Sequence, residues 1–156
     1  MPRPRAGKRA VVAITRRLMA GLSAQAVFDV LRDGKSYGDW VVGTRTIRAV
    51  DPGWPKEGTK LHYTVGYGPV RKDDETVSQS YAPDRRLELE ARAWPAGTAR
   101  IVLTAEERDG GVLVSIDEAP HRGPAKLLHN PLLDLAVKAR NVETLRRLER
   151  QAAGLR

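Results

Sequence analysis

Residues 131 to 152 read PLLDLAVKARNVETLRRLERQA, a run without glycine and with proline only in its first place. Asn130 is a fitting N-cap, and Pro131 suits the first helical position, where its missing N–H has no partner to lose. Leu132, Leu135, Ala139, Val142, Leu145, Leu148 and Ala152 recur at spacings of three and four, which places them in one stripe on a helix. Arg146, Arg147 and Arg150 load the last turns, where the helix dipole favours cations, and Gly154 supplies a stop. Such a helix is roughly 33 Å long, enough to cross a small domain. An apolar stripe of that length needs a surface to cover it. Either it lies on the rest of the chain, with Leu135 and Val142 buried, or it forms a seam with a second copy.

Almost everything upstream reads as β-strand. Residues 10 to 16 form a β-branched run and a first strand. Ser23 caps a short helix with Ala26, Val27, Val30 and Leu31 near one face, ended by Asp33-Gly34, and a second helical turn spans 36 to 40. Residues 41 to 50 are strand-like, with Ile47 as the core candidate, and the Pro- and Gly-rich stretch 51 to 58 is a loop. In 59 to 68, Leu61, Tyr63, Val65 and Tyr67 share one face against Lys60, His62, Thr64 and Gly66. Residues 71 to 81 alternate more weakly, with Val77, Gln79 and Tyr81 on one face. Leu87, Leu89, Ala91 and Ala93 alternate with charged residues, a strand with one wet face. Residues 94 to 98 form a hairpin loop, Ile101 and Leu103 continue the pattern, and Asp109-Gly110-Gly111 signals a second hairpin into Val112, Val114 and Ile116. Without a βαβ rhythm, the expectation is α+β: six or seven antiparallel strands that twist and curl, with the long helix closing the concave side.

The length of 156 residues suits one domain, residues 10 to 156, behind a basic tail, residues 1 to 9, expected to be disordered. No apolar run reaches the ~18 residues of a membrane span, and the basic start does not continue as a signal peptide. There is no cysteine, hence no disulfide and no thiol chemistry, and the expected location is the cytoplasm. The net charge of +8 owes four units to Arg3, Arg5, Lys8 and Arg9. The remaining charge is mixed, so no nucleic-acid partner is expected, while the tail leaves room for peripheral contact with an anionic surface.

The stretches SAQAVFDVLRDGKSYGDWVVG (23–43), DPGWPKEGTKLHYTVGYGP (51–69), YAPDRRLEL (81–89), DGGVLVSIDE (109–118) and NPLLDLAVKARNVETLRRLER (130–150) appear in a telling order. Together they resemble the START-related SRPBCC, or helix-grip, superfamily, and within it the polyketide cyclase/dehydrase and lipid-transport branch. The resemblance implies a β-α-α-β6-α fold with an apolar cavity between sheet and C-terminal helix, and a hydrophobic small-molecule partner. It implies no reaction, since one fold carries many activities.

On that expectation the cavity is lined by Trp40, Ile47, Leu61, Tyr63, Val65, Tyr67, Val77, Gln79, Tyr81, Leu89, Ala91, Leu103, Val114, Leu135, Ala139 and Val142. The small side chains of Ala91 and Ala139 leave volume that leucines would fill; the alternative is an ordinary packed core. Glu118 also falls on the inward phase. Tyrosine hydroxyls with a carboxylate have the chemistry to polarise a ketone and take an α-proton. His62, His121 and His129 lack metal-ligand spacing, and neither a metal nor another cofactor is expected. The leading reading is a carrier or sensor of a lipid, polyketide-like or aromatic molecule. The alternative is a cyclase or dehydratase acting in the same cavity, and a weaker third is an interaction module that holds a protein partner.

Overall fold

The computed structural model describes residues 13 to 92, 97 to 123 and 131 to 154, with the side chains of Tyr67 and Leu133 left out. The tail at 1 to 9, the N-cap role of Asn130 and most of the hairpin loop at 94 to 98 fall outside these residues. In chain order the elements are β1 (Ala13–Ala20), α1 (Ala24–Arg32), a 3-10 turn (Gly34–Ser36), α2 (Tyr37–Trp40), β2 (Thr44–Val50), β3 (Lys60–Tyr67), β4 (Val70–Ala82), β5 (Arg86–Arg92), β6 (Thr98–Arg108), β7 (Gly111–Arg122) and α3 (Pro131–Ala152). The strands form one antiparallel sheet in the order β1-β7-β6-β5-β4-β3-β2. With the three helices this is the helix-grip α+β architecture.

Local chemistry accounts for the element boundaries. Ser23 accepts the N–H of Ala26 as the α1 cap, and α1 buries Ala24, Val27, Phe28 and Leu31. Asp109-Gly110 joins β6 to β7, with Gly110 at a φ of 78° that side chains disfavour. α3 ends as expected, with Gly154 at a φ of 74° and its N–H bonded to the carbonyl of Gln151.

Three expectations need correcting. The first strand, expected over 10 to 16, runs further: among the described residues β1 pairs with β7 from Ala13–Glu118 to Ala20–Gly111. Arg17, just past the expected end, faces inward and forms an ion pair with Glu149 of α3. The strand predicted over 41 to 50 begins only at Thr44; residues 41 to 43 cross from α2 to the sheet.

The third correction is the phase of β4. Asp74, Thr76 and Ser78 face the concave side and are buried, while Val77 and Gln79 face outward. Hydrogen bonds make the polar interior tolerable: Thr76 pairs with the Tyr63 hydroxyl at 2.7 Å, and Ser78 donates to the carbonyl of Pro55 at 2.7 Å. A bulge between Ser78 and Ser80 then reverses the phase, so Tyr81 turns inward and stacks on Phe28.

The packed core occupies one end of the concavity. Met19, Phe28, Leu31, Leu61, Leu87, Val112, Val114, Leu145 and Leu148 meet there. By strand register this is the end where β7 starts, β1 finishes and α3 runs out. The hairpin ends of β3–β4 and β5–β6, with the far end of β7 and the start of α3, lie at the opposite end.

Candidate functional site

Between the packed end and the hairpins, the concave face borders a part-open cavity of about 300 Å3. Its sheet wall follows strand alternation: Tyr63 and Val65 from β3, Leu89 and Ala91 from β5, Ala99, Ile101 and Leu103 from β6, Ile116 and Glu118 from β7. Ala91 and Ala99 are direct partners across β5 and β6, so two small side chains stand side by side where the void is. Tyr37 and Trp40 of α2, with residues 41 to 44, form a second wall. α3 contributes Arg140, Asn141 and Thr144, and Lys72, Asp74 and Arg92 complete the lining toward the hairpin end.

The deep wall is aromatic and carries neutral hydroxyls. Tyr37 stacks on Tyr63 with centroids 5.5 Å apart and meets Trp40 edge-on at 5.1 Å. Burial pushes both phenols above their ordinary range, more than the Thr76 hydroxyl beside them draws them down. Both therefore stay protonated at neutral pH. Trp40 is buried, and its indole N–H finds no hydrogen-bond partner among the described residues.

The polar side of the cavity is organised on Glu118. Its carboxylate accepts from Arg140 Nη2 at 2.6 Å and from the buried Asn141 amide at 3.0 Å. Asp74 faces Lys72 Nζ at 3.5 Å, and Thr144 Oγ1 accepts the N–H of Val42 at 3.5 Å, tying α3 to the wall after α2. The cavity thus offers an apolar floor, a wall of neutral hydroxyls, and carboxylates in contact with cationic side chains.

The buried phenols set an alkaline limit. Because folding raises their pKa, the folded state holds protons that the unfolded chain releases above pH ~10. Their contribution to stability is complete below that pH and is lost as pH rises through it, by about 1.4 kcal/mol per pH unit for each phenol. Denaturant melts between pH 9 and pH 12 (roughly bracketing the free phenol value) should show this slope. It should flatten in Tyr63→Phe; an unchanged slope there would mean Tyr63 titrates as freely as in the unfolded chain.

Of the residues expected to line a cavity, Trp40, Tyr63, Val65, Leu89, Ala91 and Leu103 do so. Leu61 and Val114 point inward but are consumed by the packed end. Ile47 lines a separate depression on the β2 edge. Tyr81 packs on Phe28 and accepts from Arg32 at 3.0 Å, away from the cavity. Val77 and Gln79 lie on the outer face, where Gln79 donates to Glu90 at 3.4 Å. Tyr67 lies in β3, with its side chain outside the description.

Leu135 and Ala139 are exposed, and Val142 is partly buried without lining the cavity. The inward face of α3 is instead Asn141, Thr144, Leu145 and Leu148, at i, i+3, i+4 and i+7. Those polar residues on the helical spacing of Leu145 and Leu148 were the available sign of the true face. Tyr37, residues 41 to 44, Lys72, Asp74, Arg92, Ala99, Ile101, Ile116 and Arg140 also line the cavity without having been expected to, and Glu118, on the inward phase by sequence, lines it too.

The family described as "Polyketide cyclase / dehydrase and lipid transport" matches residues 11 to 153. The chain belongs to this family. Its fold recurs in solved structures. Ara h 8.0201 is similar with a TM-score of 0.73 at 11% identity, covering 93% of this chain and 99% of that one. The hypothetical protein jhp0584 from Helicobacter pylori gives 0.72 at 17%, covering 95% and 91%. The di-domain ARO/CYC StfQ from the steffimycin biosynthetic pathway gives 0.69 at 10%, covering 95% of this chain and 54% of that one. At these identities the likeness is one of fold. No curated protein matches the sequence. Among the described residues, no helix is long and apolar enough to cross a membrane. Nor, among them, do three or more His, Cys, Asp or Glu converge as a metal site.

Proposed function

We propose that this member of the polyketide cyclase/dehydrase and lipid-transport family binds a hydrophobic small molecule in its internal cavity, as a carrier or sensor. The observation that carries the proposal is the void of about 300 Å3 beside a fully packed core, at the lower end of the ~300–1,000 Å3 usual for ligand sites. Its floor is Leu89, Ile101, Leu103 and Ile116, and its side wall is Tyr37, Trp40 and Tyr63. That lining suits a lipid chain or a flat aromatic or polyketide-like body.

Ala91→Leu with Ala99→Leu is the direct test. In a ligand site the added side chains occupy empty space, so the melting temperature holds or rises. Displacement titration with anilinonaphthalene sulfonate should then show a loss of affinity of roughly tenfold, about 1.4 kcal/mol. In a packed interior the same change overpacks and costs about 1–3 kcal/mol. Destabilisation with no probe bound to the unsubstituted protein would sink the proposal.

A second reading, a cyclase or dehydratase, is favoured by one observation. The buried hydroxyls of Tyr37 and Tyr63 and the carboxylates of Asp74 and Glu118 belong to the same cavity region. A phenol donating to a ketone oxygen polarises it, and a carboxylate accepts the α-proton. The family's description supplies the substrate class to try, a polyketide. Turnover that Tyr63→Phe abolishes while binding persists would favour this reading over simple carriage.

A further inference from the structure

We propose that the open end of the grip is a docking surface for an anionic lipid bilayer, seated on the first turns of α3 and the tip of the β3–β4 hairpin. This surface stands apart from what fills the cavity.

Residues 131 to 140 read PLLDLAVKAR, with only Asp134, Lys138 and Arg140 charged. A helix segment this apolar normally lies in a core or against lipid. Here Leu132 is 76% exposed and Leu135 65%, with Ala136 and Ala139 exposed beside them. The later turns of the same helix bury Leu145 and Leu148 completely, so the contrast lies within one element. An exposed apolar stripe on an ordered helix marks an interaction site.

Strand register places further groups at the same end. Glu118 contacts Arg140, so the turns before Arg140 extend past it toward the end of β7. The β3–β4 tip lies beyond the Val65–Lys72 pair and presents Val70, 70% exposed. Exposed basic side chains accompany these groups: Arg45 and Arg71 by the tip, Arg92 and Arg122 at the ends of β5 and β7, and Lys138 on the helix. Asp73 and Asp134 are the carboxylates closest in sequence to the apolar groups, and Glu75 and Glu90 partner Arg92 and Arg122.

Apolar groups that insert, flanked by cations that meet head groups, fit an anionic interface. A second copy fits less well. A two-fold contact through the stripe would bring the same cations against themselves. Each basic residue at such a surface strengthens partitioning roughly fivefold, and salt weakens it.

The test is co-sedimentation of the full chain with phosphatidylglycerol–phosphatidylcholine vesicles and with pure phosphatidylcholine vesicles. Binding is expected to the first and to be at least roughly tenfold weaker to the second. Leu132→Glu with Leu135→Glu should lose at least roughly tenfold in vesicle binding. Both side chains are exposed, so the thermal melt should not move. Anilinonaphthalene sulfonate displacement from the cavity should also persist in this variant, which keeps failure here distinct from failure of the cavity reading. Equal vesicle binding by the variant would assign the contact to the basic N-terminal tail and overturn the proposal. So would the absence of binding to either vesicle. A concentration-dependent dimer that the substitutions dissolve would overturn it in favour of a second copy.

Discussion

Truncating Leu148 to alanine should lower stability by about 2–5 kcal/mol, whereas truncating Leu135 on the same helix should change it by less than about 0.5 kcal/mol. The two side chains are chemically identical and thirteen residues apart on α3. Leu148 is fully enclosed with Leu145 at the packed end, so its removal loses transfer free energy and leaves a cavity. Leu135 already stands in water. Urea melts of the two variants give the comparison directly. A large loss from Leu135→Ala would mean that the first turns of α3 fold against the body of the protein.

Phe28→Ala should cost about 3–5 kcal/mol, the range for a buried aromatic. Phe28 is 1% exposed, lies among Val27, Leu31 and the sheet residues, and stacks on Tyr81 with centroids 6.4 Å apart. That stack reaches β4 just beyond its bulge, so the same substitution should loosen the Tyr81 ring. Near-ultraviolet circular dichroism and a denaturant melt read both effects. A loss below about 1 kcal/mol would show that the helical pair contributes little to the core.

Strands with one wet face were legible. In β5, Leu87 and Leu89 alternate with Glu88 and Glu90, and the charges have nowhere to go but outward. Tyr63 and Val65 in β3 follow the same logic. β4 was illegible because its buried side chains are polar. Thr76 and Ser78 are inside through hydrogen bonds to Tyr63 and Pro55, partners distant in sequence that no local pattern reveals. The bulge that returns Tyr81 to the interior is equally silent in the sequence. In α3 the bounds were readable from Pro131 and Gly154, but the face was not. Two apolar stripes overlap on one helix, and only the packed partner selects Leu145 and Leu148 over Leu132 and Leu135. The polar half of the cavity was missed for the same reason as β4: Asn141 and Thr144 look like surface residues until Glu118 and Val42 are seen beside them.

The strand order has a kinetic meaning. From β2 to β7 each strand pairs with the next one along the chain, so every ladder grows from a nearby turn. The β1–β7 ladder is different, for Ala13 must find Glu118 about a hundred residues away. Closing a loop of that size costs roughly 4 kcal/mol of chain entropy before any pairing energy returns. α3 meets β1 through the Glu149–Arg17 ion pair, so both outer segments rely on the same late encounter. A six-stranded meander that assembles by short-range steps can therefore form first, and the two ends of the chain then lock it in a single long-range event.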